Sequence, residues 1–487
     1  MEESRLVEKN DSPGKKLQEM LERKAIIGWD KVKGTPQWDE VFRLGEDYKD
    51  FLNQAKTERE AVNAISQRAL ASGFVPWEEL EGKEFAPGTK FVRTFRGKAV
   101  VLGICGRDPL SAGLRLVGAH IDSPRLDLKP NPLYEGGNLA LLKTHYYGGI
   151  KKYQWPVMPL ALHGVVILAD SRRIELALGE KEDDPVFTIT DLLPHLGKEQ
   201  AEKKLKEAIE GECLNVLAGH IPYAGDEEIK DRVKLAVLDY LHRQYGLIEE
   251  DFLTAEIEVV PAGKARDVGL DRSMVGAYGQ DDRVCAYAML HAILGMAAPR
   301  HTALAFFADK EEIGSMGNTG AQGPIPLQMV ADLNRLTLGD DSPSSLRQVF
   351  AASAALSADV DGALDPTFES VMDKLNAARL GGGVVLTKYT GSGGKFGAND
   401  AHAEYLARLR RLFNREGIVW QIGELGKVDQ GGGGTIAQFL ANLGLEVVDC
   451  GVAVLSMHSP FEVTSKVDIY YTSRAYQAFW QAEKLGE

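Results

Sequence analysis

The stretch Ala303-Leu304-Ala305-Phe306-Phe307-Ala308, with Glu311-Glu312 two residues beyond it, decides the fold class of this chain. Six apolar residues in a row are typical of a strand buried on both faces. The two carboxylates follow where this strand ends, and adjacent side chains there point in different directions. One of them is therefore free to hold a metal ion while the other faces a water molecule. Taken alone, the segment fits equally well a strand end with two solvated acids.

A second apolar run ends in the same way. The stretch 116–120 places His120 at a strand end, and Asp122 follows two residues later. In open α/β sheets, ligands bind beyond the carboxyl ends of the strands. Together the two segments indicate the two halves of a hydrolytic metal site.

The composition is that of an ordinary globular protein with room for more than one compact unit. The chain has 487 residues, of which 44% are hydrophobic and 26% are charged, and its formal net charge is −14. An acidic chain without a clustered basic face is not expected to bind nucleic acid. No apolar run approaches the roughly 18–20 residues needed to cross a bilayer. Residues 1–5 lack the pattern of a secretion signal, so we expect a cytoplasmic location.

The cysteines restrict the kind of metal site. Cys105, Cys213, Cys285 and Cys450 are scattered without any short paired spacing. This spacing argues against a disulfide framework and against a thiolate zinc site. Any metal must then be held by histidine, aspartate and glutamate.

The order of elements predicts an α/β fold with a β-rich insertion. Apolar spacing predicts a helix over 48–72, a strand over 350–357 and alternating strands and helices from about 281 onward. We expect a mainly parallel sheet covered on both faces. Further helices are predicted over 15–24, 198–210, 227–244, 283–296 and 400–414. The simplest account is one α/β domain, residues 1–130 and 266–487, interrupted by a β-rich insertion of residues 131–265.

Three more polar residues complete a candidate ligand set. Asp359 and His458 each follow an apolar run, and Asp281 stands where a helix opens. A helix start favours a carboxylate in any case, so capping is an equally good explanation of Asp281 alone. A site for two zinc ions needs imidazoles, terminal carboxylates and one carboxylate that bridges the ions.

This set can be arranged around two ions. His120 and Asp359 could serve one ion, with Asp281 between it and a second ion. Glu312 and His458 would hold the second ion. Glu311 would then take a proton from the bridging water and pass it to a leaving amine, and Asp122 would orient the imidazole of His120.

Five motifs carry a family resemblance, and they occur in the order 118–126, 280–283, 309–315, 357–359 and 457–460. They read GAHIDSPRL, QDDR, DKEEIGS, SAD and MHSP. This ordered series resembles the signature of the aspartyl aminopeptidase and vacuolar aminopeptidase I family, and the likeness runs over most of the chain. It implies a three-layer α/β/α zinc exopeptidase (phosphorylase/hydrolase-like) domain with the inserted β-rich domain, assembled into a homo-dodecamer.

The resemblance also implies roles for individual residues. His120, Asp281 and Asp359 would hold one zinc, and Asp281, Glu312 and His458 the other. Glu311 would be the general base and Asp122 the acid that orients a histidine. Histidine and carboxylate ligands suit zinc, cobalt and manganese alike.

Substrate-binding residues follow from the same likeness. Family members that select acidic first residues have a lysine on a late strand, where this chain has Thr387. Lys388 faces the opposite side of that strand and is not a replacement. Gly433 and Gly434 could present free amides to the peptide, with a tight helix-entry turn as the alternative. His195 resembles a family histidine that reaches a neighbouring subunit's site, with a surface histidine as the alternative.

The resulting hypothesis is a metalloaminopeptidase with two divalent ions that removes the first residue from peptides with a free N-terminus. One rival is an amidohydrolase or deacetylase acting on small N-acyl molecules. The other is an assembly protein that keeps the fold without the chemistry. The remaining histidines are expected to be packed or solvated, without acidic partners in the right setting: His145, His163, His220, His242, His291, His301 and His402.

Overall fold

The computed structural model describes residues 12–80, 85–225 and 228–486. Residues 1–5, on which the cytoplasmic prediction depends, and Glu227, the predicted start of a helix, lie outside these ranges. Within them the chain forms a mixed α/β structure with three sheets of nine, seven and five strands. None of the helices in these ranges is long and apolar enough to cross a membrane.

The nine-stranded sheet is mainly parallel, as expected, with five parallel and three antiparallel pairs of neighbouring strands. Its strands, in spatial order, are Val75–Pro76, Lys90–Phe95, Ala99–Ile104, Ala303–Ala308, Arg115–His120, Ala354–Ser357, Glu446–Gly451, Val384–Thr387 and Trp420–Ile422. The four strands from Ala303–Ala308 to Glu446–Gly451 run parallel. Antiparallel pairs flank them, since Ala99–Ile104 runs antiparallel to Ala303–Ala308 and Val384–Thr387 runs antiparallel to Glu446–Gly451.

Both faces of this sheet are covered by helices. Along the strand Ala303–Ala308, alternate side chains belong to two different hydrophobic clusters, since successive residues of a strand face opposite sides. Phe307 packs in the cluster that contains the helices Gln280–Leu294 and Lys466–Gln481. Phe306 packs in the cluster that contains Ile325–Leu338. The strand is therefore apolar throughout, as its sequence indicates.

The seven-stranded sheet is antiparallel and has a hydrophobic core of its own. Its strands, in spatial order, are Arg173–Leu178, Leu160–Ile167, Glu256–Pro261, Arg125–Gly136, Leu139–Tyr147, Val216–Gly219 and Thr188–Ile189. Its buried cluster draws on residues between Leu126 and Val259. The five-stranded sheet contains Arg266–Val268, Met274–Ala277, Glu462–Ser465, Ala453–Leu455 and Asp361–Gly362.

Several predicted helices and strands have different bounds in the structure. The α-helices of the described residues are Pro13–Leu21, Gly28–Val32, Gln37–Gln54, Glu58–Ala71, Lys198–Ala201, Leu205–Ala208, Arg232–Tyr245, Gln280–Leu294, Ile325–Leu338, Pro343–Ala352, Ala403–Arg415, Ala437–Asn442 and Lys466–Gln481. The single helix predicted over 48–72 is wrong. Thr57 and Glu60 form a capping box that starts a new helix. The strand predicted over 350–357 begins only at Ala354, because Phe350 belongs to the preceding helix.

A buried ionic network joins the two large sheets close to the site. The Arg125 guanidinium lies 3.1 Å from Glu258 and 3.6 Å from Glu58. Lys98, beside the nine-stranded sheet, lies 2.9 Å from Glu58. Charges this deeply buried are stable only when paired. The network therefore holds in place the point where the chain passes from residues 120–124 into the first residues of the seven-stranded sheet.

Phe307 is fully buried one residue before the end of its strand. Its truncation therefore measures how much the packing of this strand contributes to the stability of the fold. Phe307→Ala is expected to lower the free energy of unfolding by about 3–5 kcal/mol, because it leaves a cavity between sheet and helices. Urea denaturation followed by circular dichroism measures the change. Phe396→Ala is the matched control, because Phe396 is 78% exposed. An equal effect of both substitutions would contradict the assignment of Phe307 to the core.

Candidate metal centre

Three neighbouring strands end at one edge of the nine-stranded sheet and bring the predicted residues together. Ala308 is in register with His120, and Ser357 is in register with Gly118. Parallel strands place their carboxyl ends at the same edge, so His120, the glutamate pair and Asp359 emerge side by side. The pair itself lies in a short 3-10 turn, Glu311–Ile313, entered through Lys310 at φ 66°.

Asp281 lies between two histidines. Its Oδ1 is 3.1 Å from His120 Nε2, and its Oδ2 is 3.1 Å from His458 Nε2. The helix start of Gln280–Leu294 carries Asp281. Its backbone N–H donates to Glu462, and its two carboxylate oxygens face the imidazoles, with no backbone N–H of the described helix start donating to them. Capping therefore does not account for the side chain of Asp281.

The other predicted ligands surround this carboxylate. Glu312 Oε1 is 3.4 Å from His458 Nε2, and Asp359 Oδ1 is 3.8 Å from His120 Nε2. Three overlapping groups of potential ligand atoms result, and within each group the atoms lie within 4.8 Å of one another: His120, Asp281 and Asp359; Asp281, Glu312 and His458; and His120, Glu311 and Glu312. Glu312 Oε1 is buried without a hydrogen-bond partner. Nitrogen and oxygen donors in this arrangement fit divalent zinc.

Glu311 stands beside this set without a hydrogen bond to the histidines. Its Oε2 is 4.0 Å from His120 Nε2. Burial, together with the negative charges of Asp122 and Asp281, raises the pKa of Glu311 to about 7 against the lowering effect of His120 and His458. A carboxyl group of this kind can accept and release a proton near neutral pH.

Asp122 connects the strand ends to each other. Its carboxylate accepts hydrogen bonds from the backbone N–H groups of Glu311, at 3.1 Å, and Glu312, at 3.2 Å. It also lies 3.3 Å from His120 Nδ1. Burial opposes its charged form, but hydrogen bonds from His120 and Tyr147 lower the pKa of Asp122 overall. The predicted partner of His120 therefore also holds the backbone of the glutamate pair.

Three further residues of the site were missed by the sequence analysis. The Tyr147 hydroxyl donates to Asp122 Oδ2 at 2.8 Å. The Gly149 carbonyl oxygen lies 2.9 Å from His458 Nδ1. Glu462 accepts the backbone N–H of His458 at 2.7 Å and holds it at φ 63°. Glu462 could have been suspected as an acid four residues beyond a histidine, whereas Tyr147 and Gly149 carry no local signal.

A cavity of about 690 Å³ opens from these residues. Glu311, Gly433 and Gly434 line it together, and the role of the two glycines in substrate binding stays a prediction. Thr387 lines it as well, whereas Lys388 is not among the lining residues and pairs with Asp400 at 3.1 Å. His195 is exposed in the turn Pro194–Leu196 and does not line the cavity.

The prediction that the remaining histidines lack acidic partners is wrong for His163. This buried side chain lies 2.7 Å from Glu60 and 3.1 Å from Glu180. Both glutamates come from other elements, so the pairing was invisible in the local sequence. These hydrogen bonds raise the pKa of His163 although burial favours the neutral ring. The group therefore links the seven-stranded sheet to the helix Glu58–Ala71.

Known proteins resemble this chain over nearly its whole length. Residues 51–480 match the family described as aminopeptidase I zinc metalloprotease (M18). A probable M18 family aminopeptidase 1 of Clostridium acetobutylicum is 50% identical over 453 residues, which cover 93% of this chain and 97% of the relative.

Solved structures share the fold. The crystal structure of an M18 aminopeptidase from Thermotoga maritima superposes with a TM-score of 0.90 at 47% identity and covers 94% of this chain and 100% of its own. The mApe1 dodecamer of S. cerevisiae has a TM-score of 0.71 at 19% identity, covers 91% and 97% of the two chains, and shares the fold alone. From the family match and the bacterial relatives, we conclude that this chain belongs to the M18 family of zinc metalloprotease aminopeptidases.

Proposed function

We propose that this M18 aminopeptidase holds two divalent metal ions and uses Glu311 as general base to hydrolyse the N-terminal residue from peptides with a free N-terminus. The observation that carries the proposal is the position of Asp281. Each of its two oxygens lies 3.1 Å from a different imidazole, as expected of a carboxylate shared by two ions. The family supports zinc, while cobalt and manganese accept the same donors.

The ligands divide into two sets. His120, Asp281 and Asp359 would hold one ion, and Asp281, Glu312 and His458 the other. Both sets are among the groups of close ligand atoms. Burial raises the pKa of Glu312 and Asp359, and repulsion from the neighbouring carboxylates raises it further. Cations bound between these carboxylates would relieve that repulsion.

The chain's own residues supply proton transfer and positioning. When bound, divalent ions polarise a carbonyl and lower the pKa of water. Glu311 lines the cavity beside His120 and takes a proton from the attacking water. It then delivers that proton to the leaving amine. Asp122 holds the ring of His120 and the backbone of Glu311, so the base and the ligand keep a fixed relation.

The wider architecture is part of the same proposal. Residues 131–265 would form the insertion, and residues 1–130 and 266–487 a three-layer α/β/α catalytic domain, although the strand Arg125–Gly136 of the seven-stranded sheet begins before that boundary. Large apolar side chains on the insertion, such as Val157, Leu196 and Ile221, are 76%, 68% and 79% exposed. Single exposed apolar residues are common on protein surfaces, so the support for a homo-dodecamer in which His195 would reach a neighbouring site is the likeness to the solved mApe1 dodecamer. A cytoplasmic location remains a prediction from the sequence.

The two rival functions make different demands. An aminopeptidase requires a free amine on its substrate, whereas an amidohydrolase or deacetylase acts on N-acyl compounds. An assembly protein would hydrolyse neither. The family match favours the aminopeptidase. Assays of aminoacyl anilides beside N-acetylated amino acids distinguish all three.

Glu311→Gln is expected to retain the fold and the metal content and to lower kcat by about 10²- to 10⁴-fold, because the amide cannot accept the proton. Hydrolysis of a leucyl anilide measures kcat, and elemental analysis measures the metal. Glu424→Gln is the control, since Glu424 lines the same cavity and is expected to remain near wild-type activity. Full activity of Glu311→Gln would remove this residue from the mechanism.

Asp281→Ala is expected to lower the metal content below two ions per chain as well as the activity, because both ligand sets lose a member. Elemental analysis after gel filtration gives the stoichiometry. Asp429→Ala makes the same substitution at an exposed position of the cavity and serves as control. A fully metallated Asp281→Ala protein would contradict the shared carboxylate.

Tyr147→Phe tests the hydrogen bond that connects the seven-stranded sheet to Asp122. Loss of the hydroxyl leaves Asp122 with one donor fewer, and metal affinity is expected to fall by about 10- to 100-fold, as for other partners of metal ligands. Competition with a chelator measures the affinity directly. Tyr146→Phe removes a hydroxyl from the adjacent residue, which is 45% exposed, and is expected to have no effect. Equal affinities of the two variants would show that Tyr147 does not act on the site.

A further inference from the structure

The cavity continues beyond the metal centre to a buried carboxylate. Asp361 lies two residues after Asp359, lines the same cavity and is 4% exposed. Its Oδ2 accepts a hydrogen bond from the Thr387 hydroxyl at 2.8 Å. Thr387 stands where acid-selecting relatives were expected to carry a lysine. In this chain Thr387 therefore donates a hydrogen bond to the negatively charged Asp361 and supplies no positive charge.

The second oxygen of this carboxylate is unused. Asp361 Oδ1 is buried and has no hydrogen-bond partner among the described residues. A buried carboxylate oxygen without a donor is costly, and it gains most from a donor that carries positive charge. No lysine or arginine of the described chain is paired with Asp361 in an ion pair. A donor supplied by a ligand would satisfy this oxygen.

The surroundings keep the carboxylate in place. Gly423 passes so close that a Cβ there would stand 2.0 Å from Asp361 Oδ2, which only glycine avoids. A second buried acid, Asp449, is 3% exposed, lines the same cavity and accepts a hydrogen bond from Thr435 at 2.7 Å. Two acids held by threonine hydroxyls thus make this end of the cavity negative.

The basic residues of the cavity lie elsewhere. Lys395 and Lys427 also line it, but both are exposed. Lys395 pairs with Asp400 at 3.0 Å and lies over the ring of Tyr389. Screening by solvent makes such exposed charges weak compared with a buried carboxylate. They do not neutralise the end of the cavity that contains Asp361.

We propose that Asp361 forms the end of the pocket for the substrate's first side chain and selects a cationic residue, lysine or arginine. The ammonium or guanidinium group would donate to Asp361 Oδ1, and Thr387 would hold the opposite oxygen. This inference rests on the proposed aminopeptidase function. A negatively charged first residue would meet Asp361 and Asp449 and be disfavoured.

The first experiment compares wild-type protein on aminoacyl anilides that differ at one group. Lysyl and norleucyl anilides have side chains of similar length, and only lysine carries the ammonium. kcat/KM for the lysyl substrate is expected to exceed that for the norleucyl substrate by at least ~10-fold, since a site built for a charged donor rejects the analogue that lacks it. The aspartyl substrate is expected to be the poorest. A norleucyl substrate as good as the lysyl one would overturn the proposal.

The second experiment uses Asp361→Asn with Asp429→Asn as matched control. Both remove one negative charge from the cavity lining, but Asp429 is exposed. Asp361→Asn is expected to bring the ratio of lysyl to norleucyl kcat/KM to about 1, while Asp429→Asn keeps the wild-type ratio. An equal loss on every substrate would mean that Asp361 binds the α-amino group or only maintains the structure, and would also overturn the proposal.

Product inhibition keeps the test independent of the variant's folding. Free lysine is expected to inhibit the wild-type protein at a concentration at least ~10-fold lower than norleucine does, for the same reason as in the substrate pair. Equal inhibition by both amino acids would count against the pocket. Failure of the proposed function looks different: no aminoacyl anilide would then be hydrolysed. Hydrolysis with a preference for leucine or aspartate would retain the aminopeptidase and reject only the cationic pocket.

Discussion

The carboxylate of Asp122 is the constraint on which the geometry of the metal centre depends. It is fully buried and receives donors from the imidazole of His120, the backbone of the glutamate pair and the hydroxyl of Tyr147. A buried charge is tolerated only with several hydrogen bonds, and each bond here restrains a different part of the chain. Asp122 therefore fixes the strand ends relative to each other before any metal is considered.

The same constraint couples the seven-stranded sheet to the site. Tyr147 ends a strand of that sheet, and Gly149, two residues later, orients His458 through its carbonyl oxygen. One short segment thus contacts Asp122, the partner of His120, and also His458 itself. The pairing of Arg125 with Glu258 holds the first residue of the strand Arg125–Gly136, where the chain enters this sheet. A change in the packing of the seven-stranded sheet would be transmitted to the metal ligands through these few bonds.

Much of the site could be predicted because its residues stand at the ends of apolar strands. His120, Glu312, Asp359 and His458 follow such runs, and the structure brings them together around Asp281. The helix over 48–72 was mispredicted because apolar periodicity continues through a capping box that ends one helix and starts another. Tyr147 and Asp361 were missed because their partners lie 25 and 26 positions away in the sequence.

The sequence by itself determined the family, the apolar central strands and the candidate ligand residues, because strand periodicity and short motifs are local properties. Tertiary structure alone decided that Asp281 stands between two imidazoles and that Asp361, in the wall of the cavity, has a buried oxygen without a hydrogen-bond partner among the described residues. Distances between side chains depend on strand register, helix placement and long-range hydrogen bonds. None of these can be read from neighbouring residues, since the groups in contact are separated by tens to hundreds of positions along the chain.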